Sequence, residues 1–134
     1  MEDNLNTSGA MRILVVDDNA INLKLACDVL SCSGYEVKGA GDAEKALEEI
    51  EQSMPVLILM DIGLPGMDGL TLTRKLKAGE ATKQIRVVAM TAFAMKGDEQ
   101  KVLEAGCDGY ISKPINTRAL ATQVAHCLEG TSKL

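Results

Sequence analysis

A chain of 134 residues with 46% hydrophobic content has room for one self-supporting core and no second domain. Its formal charge of −5, with no stripe of Lys and Arg, excludes a phosphate-backbone surface, so no nucleic acid is expected as a partner. No apolar run approaches the ~18 residues of a membrane span, and residues 1–10 lack both the basic and the apolar part of a signal peptide, so a cytoplasmic protein without membrane contact is expected.

Residues 1–10 are polar and aperiodic and read as a disordered lead-in to a domain over 11–130, with 131–134 as a tail. Residues 13–16 form a short apolar run, the pattern of a strand covered on both faces, and it stops at Asp17, Asp18 and Asn19. Ile21, Leu25 and Val29, with Ala26 and Leu30, then give a helical stripe up to Gly34. Residues 35–40 alternate weakly and predict a second strand. Asp42 is suited to cap a helix whose Ala43, Ala46, Leu47 and Ile50 repeat at helical spacing and which ends before Pro55.

The run 56–60 is the most apolar strand in the chain, and it delivers Asp61. Gly63, Pro65, Gly66 and Gly69 after it read as an irregular loop, because Pro fixes φ and Gly opens unusual backbone conformations. Asp68 is placed to cap a helix carrying Leu72 and Leu76, closed near Gly79. Residues 85–90 predict a fourth strand ending at Thr91. Residues 95–105 form a helix of poor periodicity anchored by Val102, Leu103 and Ala105. Residues 108–112 form a short last strand before Lys113 and Pro114, and Asn116 opens a final helix with Thr117, Leu120, Ala121, Val124 and Leu128 inward, ended by Gly130. Strands alternating with helices imply a parallel sheet with right-handed crossovers and helices on both faces. Cys27, Cys32, Cys107 and Cys127 form no CxxC pair and have no His at ligand spacing, so they read as free thiols in or near the core. His126 reads as a surface or boundary residue.

In a parallel sheet all carboxyl ends lie on one edge, so Asp17, Asp18, Asp61, Thr91 and Lys113 are expected to meet there. Clustered carboxylates repel by roughly 4 kcal/mol per pair at about 4 Å and an effective dielectric near 20, so the cluster calls for a cation. Hard oxygen donors select Mg²⁺, with Mn²⁺ able to substitute. Such an ion leaves positions for phosphate oxygens; Thr91 offers them a hydrogen bond and Lys113 a point charge, and Asp61 becomes a nucleophile toward phosphorus.

The set VDDN at 16–19, MDIGLPGMDG at 60–69, MTA at 90–92 and SKP at 112–114 resembles the receiver domain of two-component response regulators, over nearly the whole chain. TAFAMKGDE at 91–99 with YISKPI at 110–115 looks most like its single-domain cell-cycle regulators. The resemblance implies a flavodoxin-like (CheY-like) doubly wound fold, five parallel strands in the order 2-1-3-4-5 and five helices. It implies Asp61 as phosphoacceptor, Mg²⁺ held by Asp17, Asp18, Asp61 and the Gly63 carbonyl, and Thr91 and Lys113 on the phosphoryl group. Tyr110 is similar in place to the family's aromatic switch, paired with Thr91, and the Lys113–Pro114 peptide is expected to be cis. Implied partners are a histidine kinase or histidine phosphotransfer protein, and a downstream protein target on the face of the fourth helix, fifth strand and fifth helix. Gly63 departs from many relatives, which carry a larger polar residue there, and this bears on the lifetime of the phosphorylated state.

The expectation is therefore a stand-alone phosphorylation switch, not an enzyme acting on other molecules. An aspartyl-phosphate hydrolase would place a second Asp where Gly63 stands. A flavin or nucleotide module would need a Gly- or Ser/Thr-rich loop where Asp17 and Asp18 stand. A constitutive binder built on the same fold normally lacks one of the acidic or Lys positions, and all are present here.

Overall fold

The apolar runs pair as one parallel sheet in the computed structural model, which describes residues 11–62, 69–91, 100, 102–112 and 115–128, with the backbone alone at 91 and 112. In chain order the elements are β1 (Arg12–Val16), α1 (Ala20–Cys32), β2 (Glu36–Ala40), α2 (Ala43–Gln52), β3 (Leu57–Asp61), α3 (Gly69–Ala78) and β4 (Arg86–Thr91). They continue with α4, helical at positions 100 and 102–104, then β5 (Gly109–Ser112) and α5 (Leu120–Leu128). The sheet order is β2-β1-β3-β4-β5, all parallel, as expected. The expected lead-in over 1–10 and the tail over 131–134 lie outside the described residues. Among the described residues no helix is long and apolar enough to cross a membrane.

Strand alternation divides the core in two. Leu14, Val16, Ile58, Met60, Val87 and Ala89 face α2, α3 and Val102 of α4. Ile13, Val15, Leu57, Leu59, Val88 and Met90 face α1 and α5. Both faces of the central strands are therefore sealed, which is why they read as unbroken apolar runs. Full burial of Leu30 and Leu120 holds α1 and α5 to their face, at about 2–3 kcal/mol each.

Local signals set most boundaries. The Asp42 side chain accepts from the Lys45 N–H at 2.8 Å and caps α2 as expected. Gly34 stops α1 at φ 100°, the left-handed region where glycine carries no Cβ penalty. Asn116 accepts from the Arg118 and Ala119 N–H groups at 2.9 and 3.2 Å, but 117–119 form a turn and α5 begins only at Leu120. Thr117, expected inward, is exposed, and Cys127 fills that face instead.

Other expectations are corrected. On α1, Ile21 is 79% and Leu25 37% exposed, while Ala26 and Leu30 are buried with Leu23 and Cys27 packed beside them. The helix is rotated toward β2 because Gly39 lets it approach: a Cβ there would stand 3.1 Å from Leu23 Cδ1 and 3.3 Å from Cys27 Sγ. Leu103, expected as an anchor, is exposed. Cys32 is exposed rather than near the core. Gly69 is no loop residue but the first residue of α3. His126 is exposed, as expected.

Candidate metal centre

Register brings the acidic residues together before any loop is considered. Val16 pairs with Met60, so one step further along two neighbouring parallel strands stand Asp17 and Asp61. Both continue the alternation that sends Ile13, Val15, Leu57 and Leu59 toward α1 and α5. They are buried, at 1% and 7% exposure, whereas Asp18 is exposed. One carboxylate oxygen from each of the three lies within 4.8 Å of the others. At that spacing like charges cost roughly 3–4 kcal/mol per pair at an effective dielectric near 20. Two buried carboxylates and a third at the rim are a donor set of hard oxygens, which fits a divalent cation of the Mg²⁺ type. Water and phosphate oxygens would complete such a shell.

The β1–α1 connection fixes one of these carboxylates. Asn19 donates its N–H to Asp17 Oδ1 at 2.9 Å, and its own side chain accepts from the Ile21 and Asn22 N–H groups, both at 3.0 Å. Asn19 thus caps α1 and orients the Asp17 carboxylate in one turn. The sequence reading did not assign Asn19 a role, although an Asn directly before a helical stripe is the usual signal of a cap.

The backbone places Thr91 at the last position of β4, paired with Ser112 of β5, on the same sheet edge as Asp61, whose own partner is Met90. Its side chain, Gly63 and Lys113 lie outside the described residues, as does the Lys113–Pro114 peptide. Tyr110 sits on β5 opposite Ala89, half-buried and packed against the core cluster on the α2 and α3 side. The structure thus brings Asp17, Asp18 and Asp61 together, with the ends of β4 and β5 at Thr91 and Ser112 on the same sheet edge.

The sequence pattern of the response regulator receiver domain matches residues 13–125. The chain belongs to that family. Among curated relatives, the polar-differentiation response regulator DivK of Brucella ovis is 46% identical over 104 residues, covering 78% of this chain and 85% of that protein. Among solved structures, a putative response regulator from Chloroflexus aurantiacus is 31% identical at a TM-score of 0.84, over 90% of this chain and 98% of that one. The chemotaxis regulator CheY4 of Vibrio cholerae, 23% identical, shares the fold at a TM-score of 0.84 over 88% and 98% of the two chains. The receiver chain is therefore a CheY-like response regulator domain of DivK-like sequence, in a two-component system.

Proposed function

We propose that this receiver is a cytoplasmic phosphorylation switch with Asp61 as acceptor, charged by a histidine kinase or a histidine phosphotransfer protein. The observation that carries the reading is the meeting of three carboxylate oxygens within 4.8 Å at the carboxyl edge of a parallel sheet. Asp17, Asp18 and Asp61 would hold Mg²⁺ together with the Gly63 carbonyl. When bound, the ion offsets the charge of the carboxylates and of the incoming phosphoryl oxygens.

An Asp61 carboxylate oxygen attacks phosphorus, forming an acyl phosphate as the bond from phosphorus to the donor imidazole nitrogen breaks. The imidazole leaves with that electron pair and takes a proton from solvent. Asp17 keeps its orientation throughout because the Asn19 N–H holds Oδ1. Thr91 and Lys113 bind the remaining phosphoryl oxygens, and Tyr110 on β5 follows Thr91 as the switch residue. Shifting a two-state population from 1:99 to 99:1 takes roughly 5.5 kcal/mol, which a dianion gripped by a divalent ion, Thr91 and Lys113 can supply. Output passes to a downstream protein through the face of α4, β5 and α5. The donor would approach past Ile21 and Leu25, which stand exposed on α1 after the acidic residues.

Intact mass after incubation with a small acyl phosphate tests the assignment. One Mg²⁺-dependent phosphoryl group on the wild type, absent from Asp61→Asn, is expected. Retained labelling of Asp61→Asn at another residue sinks it.

A further inference from the structure

Gly69 opens α3 and is buried, yet its backbone does not demand glycine. Among the described glycines only Gly34 and Gly106 have positive φ. Space makes the demand instead. A Cβ built on Gly69 would overlap the Asp61 carbonyl oxygen and stand 2.8 Å from Ile62 Cα and 3.0 Å from the Asp61 carbonyl carbon. All three are backbone atoms, so no side chain can swing aside to make room. A glycine is less favourable than an alanine within a helix, and this close approach explains its presence here.

Neither neighbour is free to retreat as a whole. Leu57 to Met60 of β3 are 0% exposed and paired on both sides. Leu72 and Leu76 anchor α3 in the core at 0% and 2% exposure, and Thr73 Oγ1 donates to the Gly69 carbonyl at 2.8 Å. The compliant point is the end of β3, where Asp61 is the last strand residue and the Ile62 N–H reaches the Met90 carbonyl only at 3.4 Å. We infer that Gly69 is a positioning residue for the metal centre: the bare first turn of α3 seats against the Asp61–Ile62 peptide and sets how far the Asp61 carboxylate stands from Asp17 and Asp18. The consequence for cation and phosphoryl binding rests on the function proposed above, whereas the seating itself does not.

The test uses backbone amide spectra of the metal-free protein, followed by Mg²⁺ titration, for the wild type, Gly69→Ala and Gly41→Ala. Gly41 is the matched control, since a Cβ there meets nothing within 4 Å. Gly69→Ala is expected to shift the amides of Asp17, Asp18, Asp61 and Ile62 most, and to weaken Mg²⁺ binding on the order of tenfold, as loss of an orienting partner does. Gly41→Ala is expected to change neither. Shifts that run down α3 while Asp17, Asp18 and Asp61 stay in place would overturn the inference, as would an unchanged Mg²⁺ affinity in a wild type that binds. Should the wild type bind no Mg²⁺, the proposed function fails, and the metal-free spectra still decide the role of Gly69. Should Gly69→Ala not fold, Thr73→Val keeps the volume and removes the hydroxyl that holds the Gly69 carbonyl. It is expected to move the same amides to a lesser degree, and no movement there counts against the seat.

Discussion

The two edges of the sheet handle charge in opposite ways. At the amino edge charges are paired. Lys77 Nζ donates to Asp108 Oδ2 at 2.9 Å and to the Ile85 carbonyl at 2.8 Å, and the same carboxylate oxygen accepts from the Val87 N–H at 2.8 Å. Arg12 and Glu36 meet at 3.2 Å nearby, across β1 and β2. The open groove at this edge, about 440 Å³ between Met11, Met54, Val56, Ile85, Arg86 and Leu128, gathers apolar side chains and no acidic cluster. At the carboxyl edge like charges are gathered instead: three carboxylates, two of them buried, within 4.8 Å. Paired charges tie α3, the 79–85 connection and β5 into one body. Gathered like charges make the opposite edge a place where a cation would be held. The difference separates the paired scaffold from the candidate cation site on the same strands.

Breaking the amino edge has the largest expected effect on stability. Lys77→Met strands a partly buried carboxylate at Asp108, and is expected to cost about 3 kcal/mol in urea unfolding, the lower end for a broken buried pair because both side chains keep some solvent contact. Mg²⁺ affinity should not change, because Lys77 belongs to the other edge. A matching loss of Mg²⁺ binding would mean that the edges are not independent.

Alkaline pH probes the same edge more gently. Burial, chiefly, pushes the Cys107 thiol up to about 11 from an ordinary 9.0, with Asp108 adding to the rise and Thr73 and Lys77 opposing it. The folded protein keeps a proton that the unfolded chain releases first. Its stabilising effect is therefore complete below 9.0 and lost as pH rises through about 11. Across that window wild-type stability should fall by about 2 kcal/mol more than that of Cys107→Ala. Equal slopes in the two proteins would remove Cys107 from the account.

The smallest expected effect belongs to the carboxyl edge. Free Mg²⁺ at ten times its dissociation constant should stabilise the wild type by about 1.4 kcal/mol, by mass action on the folded state. Asp17→Asn should be more stable than the wild type without metal, since one like charge is gone, and should gain little when Mg²⁺ is added. Metal-free destabilisation by Asp17→Asn would show that repulsion is not what the cluster stores.

Much of this contrast was legible in the residues. Apolar runs located three of the strands and weaker patterns the other two, each to within a residue or two, and parallel topology alone sent Asp17, Asp18 and Asp61 to one edge. Long-range relations were not legible. Lys77 and Asp108 are 31 residues apart, and neither carries a local sign of the other. On α1 the expected stripe of residues 21, 25, 26, 29 and 30 overlaps a second one of 23, 26, 27 and 30. Both are apolar, so periodicity cannot choose between them. The missing side chain of Gly39 decides it, by admitting Leu23 and Cys27 to β2. Gly69 was read by composition as a loop glycine for the same reason: its meaning is a steric contact with Asp61, and composition holds no record of contacts.

The central claim is that the gathered carboxylates are one cation site. Mn²⁺ added at substoichiometric amounts to the ¹⁵N-labelled protein tests it most directly, because the ion broadens amide signals by proximity. Broadening centred on Asp17, Asp18, Asp61 and Ile62, and abolished in Asp17→Asn, is the predicted result. Broadening centred instead on the exposed glutamates of α2, or unchanged in Asp17→Asn, would contradict it.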